Sequence, residues 1–369
     1  MALSPSLDSE IRRPRPRPAR GIGRWLRHNL FADRLSICLT LLIGALLLYC
    51  LPPLVDWAIV KAVFRSDSAA CRLAAGEGAC WGVVAEKYPA ILLGRYPPGE
   101  QWRAVFASAL LLAAIVATCR WINAGKILIF GGLTAIFGAF ALLRGGWAGL
   151  TVVDSSLWGG LPLTLLLAIV TVLGACPLAV LLALGRRSQL PVIRRACGGF
   201  IELVRAVPLV SVLLLVAFLL PLFLPAGSSI DVLWRVMIGL VLFAAAYLAE
   251  VLRGGLQSIP RGHLEAAAAL GLSYWQTQIH VVLPQAIRAT LPALMNNFIS
   301  VIKETSLVTV VSLFELTGAL NLALIGDVEW REFYVEAYLF VAAIYWLLCF
   351  SLSRYSQRLA LRLRTDRSF

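Results

Sequence analysis

Apolar residues gather in runs of about 18 to 22 along most of this 369-residue chain, the length a helix needs to cross about 30 Å of hydrocarbon at about 1.5 Å per residue. Eight such runs stand out, at 35–54, 102–119, 127–143, 161–184, 207–224, 232–252, 289–307 and 334–352. Each predicts a transmembrane helix. A membrane β-barrel is excluded, because its signal is alternation over about ten residues between turns. Residues 1–34 are polar and Arg-rich and lead straight into the first run. They do not read as a cleavable secretory signal, and the first span is expected to stay in the mature protein.

Composition settles the class. The chain is 60% hydrophobic and 14% charged, with a mean hydropathy of +0.82, against roughly 45 to 50% apolar and 25% charged in soluble domains. This is an all-α integral membrane protein. Its net charge of +13 looks like an attraction for acidic partners until it is sorted by segment. Residues 1–34, 120–126, 185–206, 253–288 and the C-terminal tail hold 23 basic and 6 acidic residues, and the segments on the other side hold 9 basic and 10 acidic. The basic side faces the cytoplasm, which predicts eight spans with both termini on the cytoplasmic side. The arms RRPRPRPAR and RLALRLR then read as orientation signals and contacts with anionic lipid. No aromatic or folded platform accompanies them, so no nucleic-acid partner is expected.

Chemistry-bearing patterns are mostly missing. The Gly125–Lys126 pair is followed by Ile127 and lacks the upstream glycine of a phosphate-cradling Walker A loop. HExxH, GxSxG and clustered metal ligands are absent, and His28, His263 and His280 are scattered. The chain is therefore not expected to be an enzyme or to hold a metal or cofactor. Of the eight cysteines, Cys38, Cys50, Cys119, Cys176 and Cys349 lie in or beside runs and Cys197 in a cytoplasmic segment. Cys71 and Cys80 share the external segment 55–101. They are a candidate disulfide in an oxidising compartment, the alternative being two free thiols.

The segment 259–288, IPRGHLEAAAALGLSYWQTQIHVVLPQAIR, is long and carries two helix signals on the cytoplasmic side. The first helix is expected at 262–270, with Glu265 near its positive end and Gly271 ending it with positive φ. Ser273 with Gln276 three residues on is a capping box that opens a second helix. Pro284 disfavours helical geometry at Leu283 and is expected to stop it. A purely structural helix pair and a DNA-reading helix-turn-helix are the alternatives for this segment, the latter disfavoured by its place between two spans and its low positive charge. Glu265, Ala266, Ala267, Gly271, Leu283 and Pro284, at this spacing, resemble the EAA loop of permease subunits of bacterial ABC importers, with Val281 where Ile is usual. The resemblance implies that the first helix sits in a cleft of a separate ATPase, which carries ATP and Mg²⁺, and converts its closing into movement of the membrane helices.

The seventh run, NNFISVIKETSLVTVVSLFEL, places charge where lipid should be. At about 100° per residue, Asn296, Asn297, Ser300, Lys303 and Glu304 share a sector of about 120°, and Leu294, Met295, Phe298, Ile299, Val301 and Ile302 occupy the opposite one. A charge at mid-bilayer costs about 2.5 to 3.5 kcal/mol, so the stripe must face protein or water. Intramembrane ionisable groups are pathway candidates; the alternative is that Lys303 and Glu304 pair with neighbouring helices and only hold the fold. Glu250, Glu315 and Glu336 also fall in or at the edge of runs.

The stripe resembles the NxxIxxxKDTSL stretch of the polar amino-acid branch of ABC permeases, with Glu304 in place of Asp. WGGLPLTLLL from Trp158 and ELVRAVPLV from Glu202 add to the likeness, the latter with Ala206 and Val207 for the usual Gly and Thr. It covers 155–355, and the first 150 residues look most like the M-type permease of general L-amino-acid importers. The implied division is a basic arm at 1–34, a three-span extension at 35–150 with an external loop at 55–101, a type I importer core at 151–355 with the coupling loop at 259–288, and a basic tail at 356–369. The implied cargo is a zwitterionic L-amino acid, its ammonium meeting Glu304 and its carboxylate meeting Asn296, Asn297 and Lys303. The implied partners are two ATPase copies, a second permease (homologous, or another copy of this chain) and a periplasmic binding protein. An ion-driven secondary transporter would show repeated carboxylates in two halves, which this sequence lacks; a non-transporting scaffold would use the loop for docking alone.

Overall fold

The computed structural model describes residues 21–120, 125–223, 225 and 230–365. Most of the basic arm (1–20), loop residues 121–124 and the last four tail residues lie outside it. Among the described residues the ordered backbone is helical, with no β-strand. The chain forms two compact units, one of residues 1–63 and 70–79, the other of 64–69 and 80–369.

In the first unit, α1 (Ile22–Asn29) precedes α2 (Arg34–Val55). Asp33 caps α2 by accepting from the Ser36 amide at 2.7 Å, satisfying one of the donors a helix start leaves unpaired. None of the α2 residues is buried, as befits an apolar helix whose solvent is lipid. After Pro52 and Pro53 it continues as a π-turn, Asp56–Val60.

A short α3 (Ser68–Leu73) follows. The second unit then contains α4 (Gly82–Leu93), α5 (Gln101–Arg120), α6 (Gly125–Arg144), α7 (Gly160–Arg186), α8 (Pro191–Ala206), α9 (Leu209–Leu214), α10 (Val232–Gln257), α11 (Arg261–Ala269), α12 (Tyr274–Gln276), α13 (Leu283–Glu304), α14 (Leu316–Ile325) and α15 (Tyr334–Thr365). Its centre is the α7–α10 pair. Ala168, Ala175, Ala179 and Ala183 of α7 share a buried cluster with Ala244, Ala245 and Ala249 of α10. In hydrocarbon no water is expelled when helices meet, so association rests on close packing, which small residues about four apart allow. α10 and α15 both pack on α13, and α5 and α6 form a hairpin against α7. The turn after α6 is closed by Arg103 of α5, which is fully buried. Its guanidinium donates to the carbonyls of Leu142 (2.7 Å), Thr151 (3.0 Å) and Leu143 (3.5 Å) and pairs with Glu100 at 3.3 Å, serving carbonyls that a helix end leaves without partners.

Among the described residues, five helices are long and apolar enough by length and composition to cross a membrane: Arg34–Val60, Pro98–Thr118, Gly160–Arg186, Val232–Gln257 and Arg331–Ala360. A sixth is reached if Pro191–Ala206 and Leu209–Phe223, bent by 106°, count as one. The expected eight runs differ from this for identifiable reasons. Run 207–224 is broken into α9, a π-turn (Leu215–Leu219) and a 3-10 turn (Leu220–Phe223), because Pro208 and Pro221 lack amide donors and restrict the residues before them. Run 289–307 is helical as α13, but its polar stripe lowers its hydropathy and its end tightens into a 3-10 turn, Thr305–Val311. Run 127–143 falls within α6 (Gly125–Arg144), a helix of 20 residues.

Candidate functional site

The loop between α10 and α13 folds as a compact helical hairpin. α11 ends at Ala269, and Gly271 takes a φ of +73°, a left-handed conformation that disfavours any residue with a Cβ. The chain reverses there, and α11 packs against the segment that follows α12. Ser273 and Gln276 form a complete capping box, the Ser273 amide donating to Gln276 Oε1 at 2.8 Å. Glu265 and Ala266 are exposed on α11, whereas Ala267 is buried against the protein's own core. At the tip, Leu270 and Trp275 are 79% and 58% exposed, with Tyr274 edge-on to Trp275 at 5.4 Å.

Pro284 does not stop the second helix, contrary to the sequence expectation. α12 runs into a π-turn, Thr277–Val282, and then directly into α13, with Pro284 in its first turn. A wider turn before a proline relieves its ring clash and missing donor, and the first turn tolerates it because amides there lack helical partners anyway. The second arm of the hairpin and the stripe helix are thus one continuous rod. Leu283 is half-buried and Pro284 exposed on it.

On α13, Phe298, Ile299 and Ile302 of the apolar sector are half-buried. Leu294, Met295 and Val301 are buried, Asn296 and Lys303 exposed, and Asn297, Ser300 and Glu304 intermediate. Asn297 donates to its own helix, at the Ala293 carbonyl (2.9 Å). Among the described residues neither Lys303 nor Glu304 enters an ion pair.

Two acidic hubs that the sequence gave no role flank this rod. At the α7 C-terminus, Glu250 of α10 pairs with Arg253 (2.6 Å), Arg186 (3.2 Å) and Arg205 (3.9 Å), and Arg186 also reaches Glu202 at 2.7 Å. This joins α7, α8 and α10; the Glu–Arg spacing of three within α10 was its only trace in the sequence. At the opposite end of α7, Glu315 is fully buried. It accepts from Tyr345 (2.6 Å), Thr309 (3.2 Å), Thr164 (3.5 Å) and the amides of Thr317 and Gly318 (2.9 and 3.0 Å). Glutamate before a helix is not a usual cap, so nothing in the pattern announced it.

Beside Glu315, the Gly160 amide donates to the Phe314 carbonyl at 2.9 Å. A Cβ at Gly160, whose φ is +60°, would fall on the Leu92 carbonyl, so α4 and α7 touch backbone to backbone. At the far end of α14, Lys87 of α4 bonds Asp327 at 2.6 Å; this hydrogen bond holds the Asp327 carboxyl below its ordinary value. Glu336 of α15, also buried, accepts from the Cys80 amide at 2.9 Å. Cys71 and Cys80 are both disulfide-bonded.

A bundle of apolar helices with a polar stripe on one rod and an exposed helical hairpin at that rod's end is an arrangement that fits a membrane transport component. Residues 175–365 match the family described as binding-protein-dependent transport system inner membrane component, and the chain belongs to that family. It is thus a multi-pass inner-membrane subunit that works with a binding protein. It is similar to the inner membrane amino-acid ABC transporter permease protein YhdY of Escherichia coli (strain K12), 41% identical over 93% of this chain and 94% of that one. It is similar also to the glutamate/glutamine/aspartate/asparagine transport system permease protein BztC of Rhodobacter capsulatus, 33% identical over 97% of this chain and 98% of that one. A crystal structure of an amino acid ABC transporter with histidines aligns with 54% of this chain and 90% of its own, at a TM-score of 0.48 and 32% identity.

Proposed function

We propose that this chain is the permease subunit of an ATP-driven importer that moves L-amino acids from the periplasm to the cytoplasm. The observation that carries the reading is that α11 packs against Thr277–Val282, which runs directly on into α13. A force on α11 has a stiff path to the stripe. Exposed Glu265 meets donors of a separate ATPase, which binds ATP and Mg²⁺, and the exposed Leu270 and Trp275 supply its apolar contact. Full burial of a large apolar side chain is worth about 1.5 to 3 kcal/mol, so two or three at the tip are enough to hold a subunit in register while α11 transmits its motion.

Lys303 and Glu304, neither of which enters an ion pair among the described residues, support the cargo route. A zwitterion satisfies both signs at once, its ammonium on Glu304 and its carboxylate on Lys303 with Asn296 and Asn297, and Ser300 lies on the same strip. One chain has one such hairpin, so a transporter with two ATPases uses two permeases, this chain with a homologous partner or with a second copy. Uptake into proteoliposomes holding the partner subunits and binding protein, across a panel of amino acids, tests the reading. Uptake is expected with ATP and absent with an ion gradient alone. Gradient-driven uptake without ATP would replace this reading with a secondary transporter, and no flux under either condition with a scaffold.

A further inference from the structure

α14 has ten residues and is too short to cross hydrocarbon. It is joined to the stripe helix by the 3-10 turn Thr305–Val311 and the short connection 312–315, so a movement of α14 is passed to that end of α13. The two ends of α14 are held very differently. Its N-terminus is pinned by the buried Glu315 hub. Its C-terminus is held from outside the family-matched region 175–365 by α4 and its flanks. Lys87 bonds Asp327 at 2.6 Å with both side chains partly exposed, and Ser68 bonds Glu329 at 2.9 Å. α4 itself is anchored on α7 at Gly160. Just beyond α4, Arg95 donates to the Ser156 carbonyl at 2.7 Å and lies over the Phe314 ring at 5.1 Å. A buried, fully satisfied hub resists opening, whereas a partly exposed ion pair trades more readily with water. One end of α14 is a pivot and the other a latch.

We propose that α4 is a strap over α14 and that Lys87 and Asp327 are positioning residues that hold the resting position of α14, and through it the outer end of the cargo stripe, until the strap is released. The inference rests on the importer reading above and adds an element that residues 175–365 do not contain. With the strap closed, the ATPases idle; its release belongs to the step in which the loaded binding protein engages the face that the loop charges place outside.

The test uses the complete transporter in proteoliposomes with Lys87→Asp, Asp327→Lys and the double exchange. Each single reversal is expected to raise ATP hydrolysis without binding protein about threefold, the scale an ion pair of this exposure commands. The double exchange should bring it back to the wild-type rate. Thermal midpoints should stay at the wild-type value in all three, which separates release of the strap from general loosening. Should a reversal fail to insert, Lys87→Met and Asp327→Asn remove the pair without repulsion and are expected to raise hydrolysis likewise. Single variants that hydrolyse ATP at the wild-type rate, or a double exchange no nearer wild type than its parents, would overturn the strap. ATP-driven uptake by the wild-type transporter is read in the same vesicles. Its absence would sink the importer reading itself, while its presence with unresponsive variants would sink only the strap.

Discussion

Glu315 has no exposed surface and accepts hydrogen bonds from three hydroxyls and two amides that converge from α7, the 3-10 turn, α14 and α15. Removing it strands those donors away from water. Glu315→Ala should therefore cost about 3 to 5 kcal/mol, read as a large fall in the thermal midpoint of the purified permease in detergent, while Tyr345→Phe should cost only about 1 kcal/mol. An alanine variant as stable as wild type would show that the hub does not hold the α14 start. Glu304 is the opposite case, an acid at the end of α13 with no ion-pair partner among the described residues. Glu304→Gln should raise the Michaelis constant for uptake about tenfold, the scale of one charge-assisted hydrogen bond, and leave stimulated ATP hydrolysis in place. Unchanged uptake kinetics would make Glu304 structural. The stripe was legible because a helical period projects onto one face; the Glu315 hub was not, because its partners lie up to 151 positions away in the chain.

At the scale of elements, the hairpin was legible nearly residue by residue, since each signal in it is local. Gly271 takes the positive φ its position predicts, and Ser273 with Gln276 closes the capping box. Pro284 was misread because a proline's effect depends on the turn before it, and the π-turn at Thr277–Val282 leaves no composition signal. The same conformational argument gives a graded test. A left-handed residue other than glycine costs about 1 to 2 kcal/mol, with asparagine the mildest case and β-branched residues the worst. Gly271→Val should lose most uptake with normal insertion, and Gly271→Asn should keep more of it. Glu265→Lys should uncouple hydrolysis from uptake without unfolding α11, because the side chain is exposed. Wild-type ATP-driven uptake by both Gly271→Val and Glu265→Lys would remove the hairpin from the coupling path.

For the whole molecule, helical class and membrane residence follow from composition, because a chain that is 60% hydrophobic has too little polar surface to face water. Which runs stay straight did not follow, since apolar runs do not say where prolines bend a helix or where a polar stripe is sheltered. Sidedness rests on the 23 basic residues gathered in one set of segments, and the cysteines offer an internal check of it. Cys71 and Cys80 are disulfide-bonded, a state that persists in an oxidising compartment and not in a reduced cytoplasm. Cys197 is free and half-buried in α8, on the side the charges place inside. In sealed right-side-out vesicles prepared without reductant, a membrane-impermeant maleimide should label none of the three. A brief external treatment with an impermeant reductant should then expose Cys71 and Cys80 to the maleimide, and detergent alone should expose Cys197. If Cys197 labels from outside in intact vesicles, or Cys71 and Cys80 label without reductant, the orientation drawn from the charges is inverted or the external loop is not where an oxidising compartment can act on it.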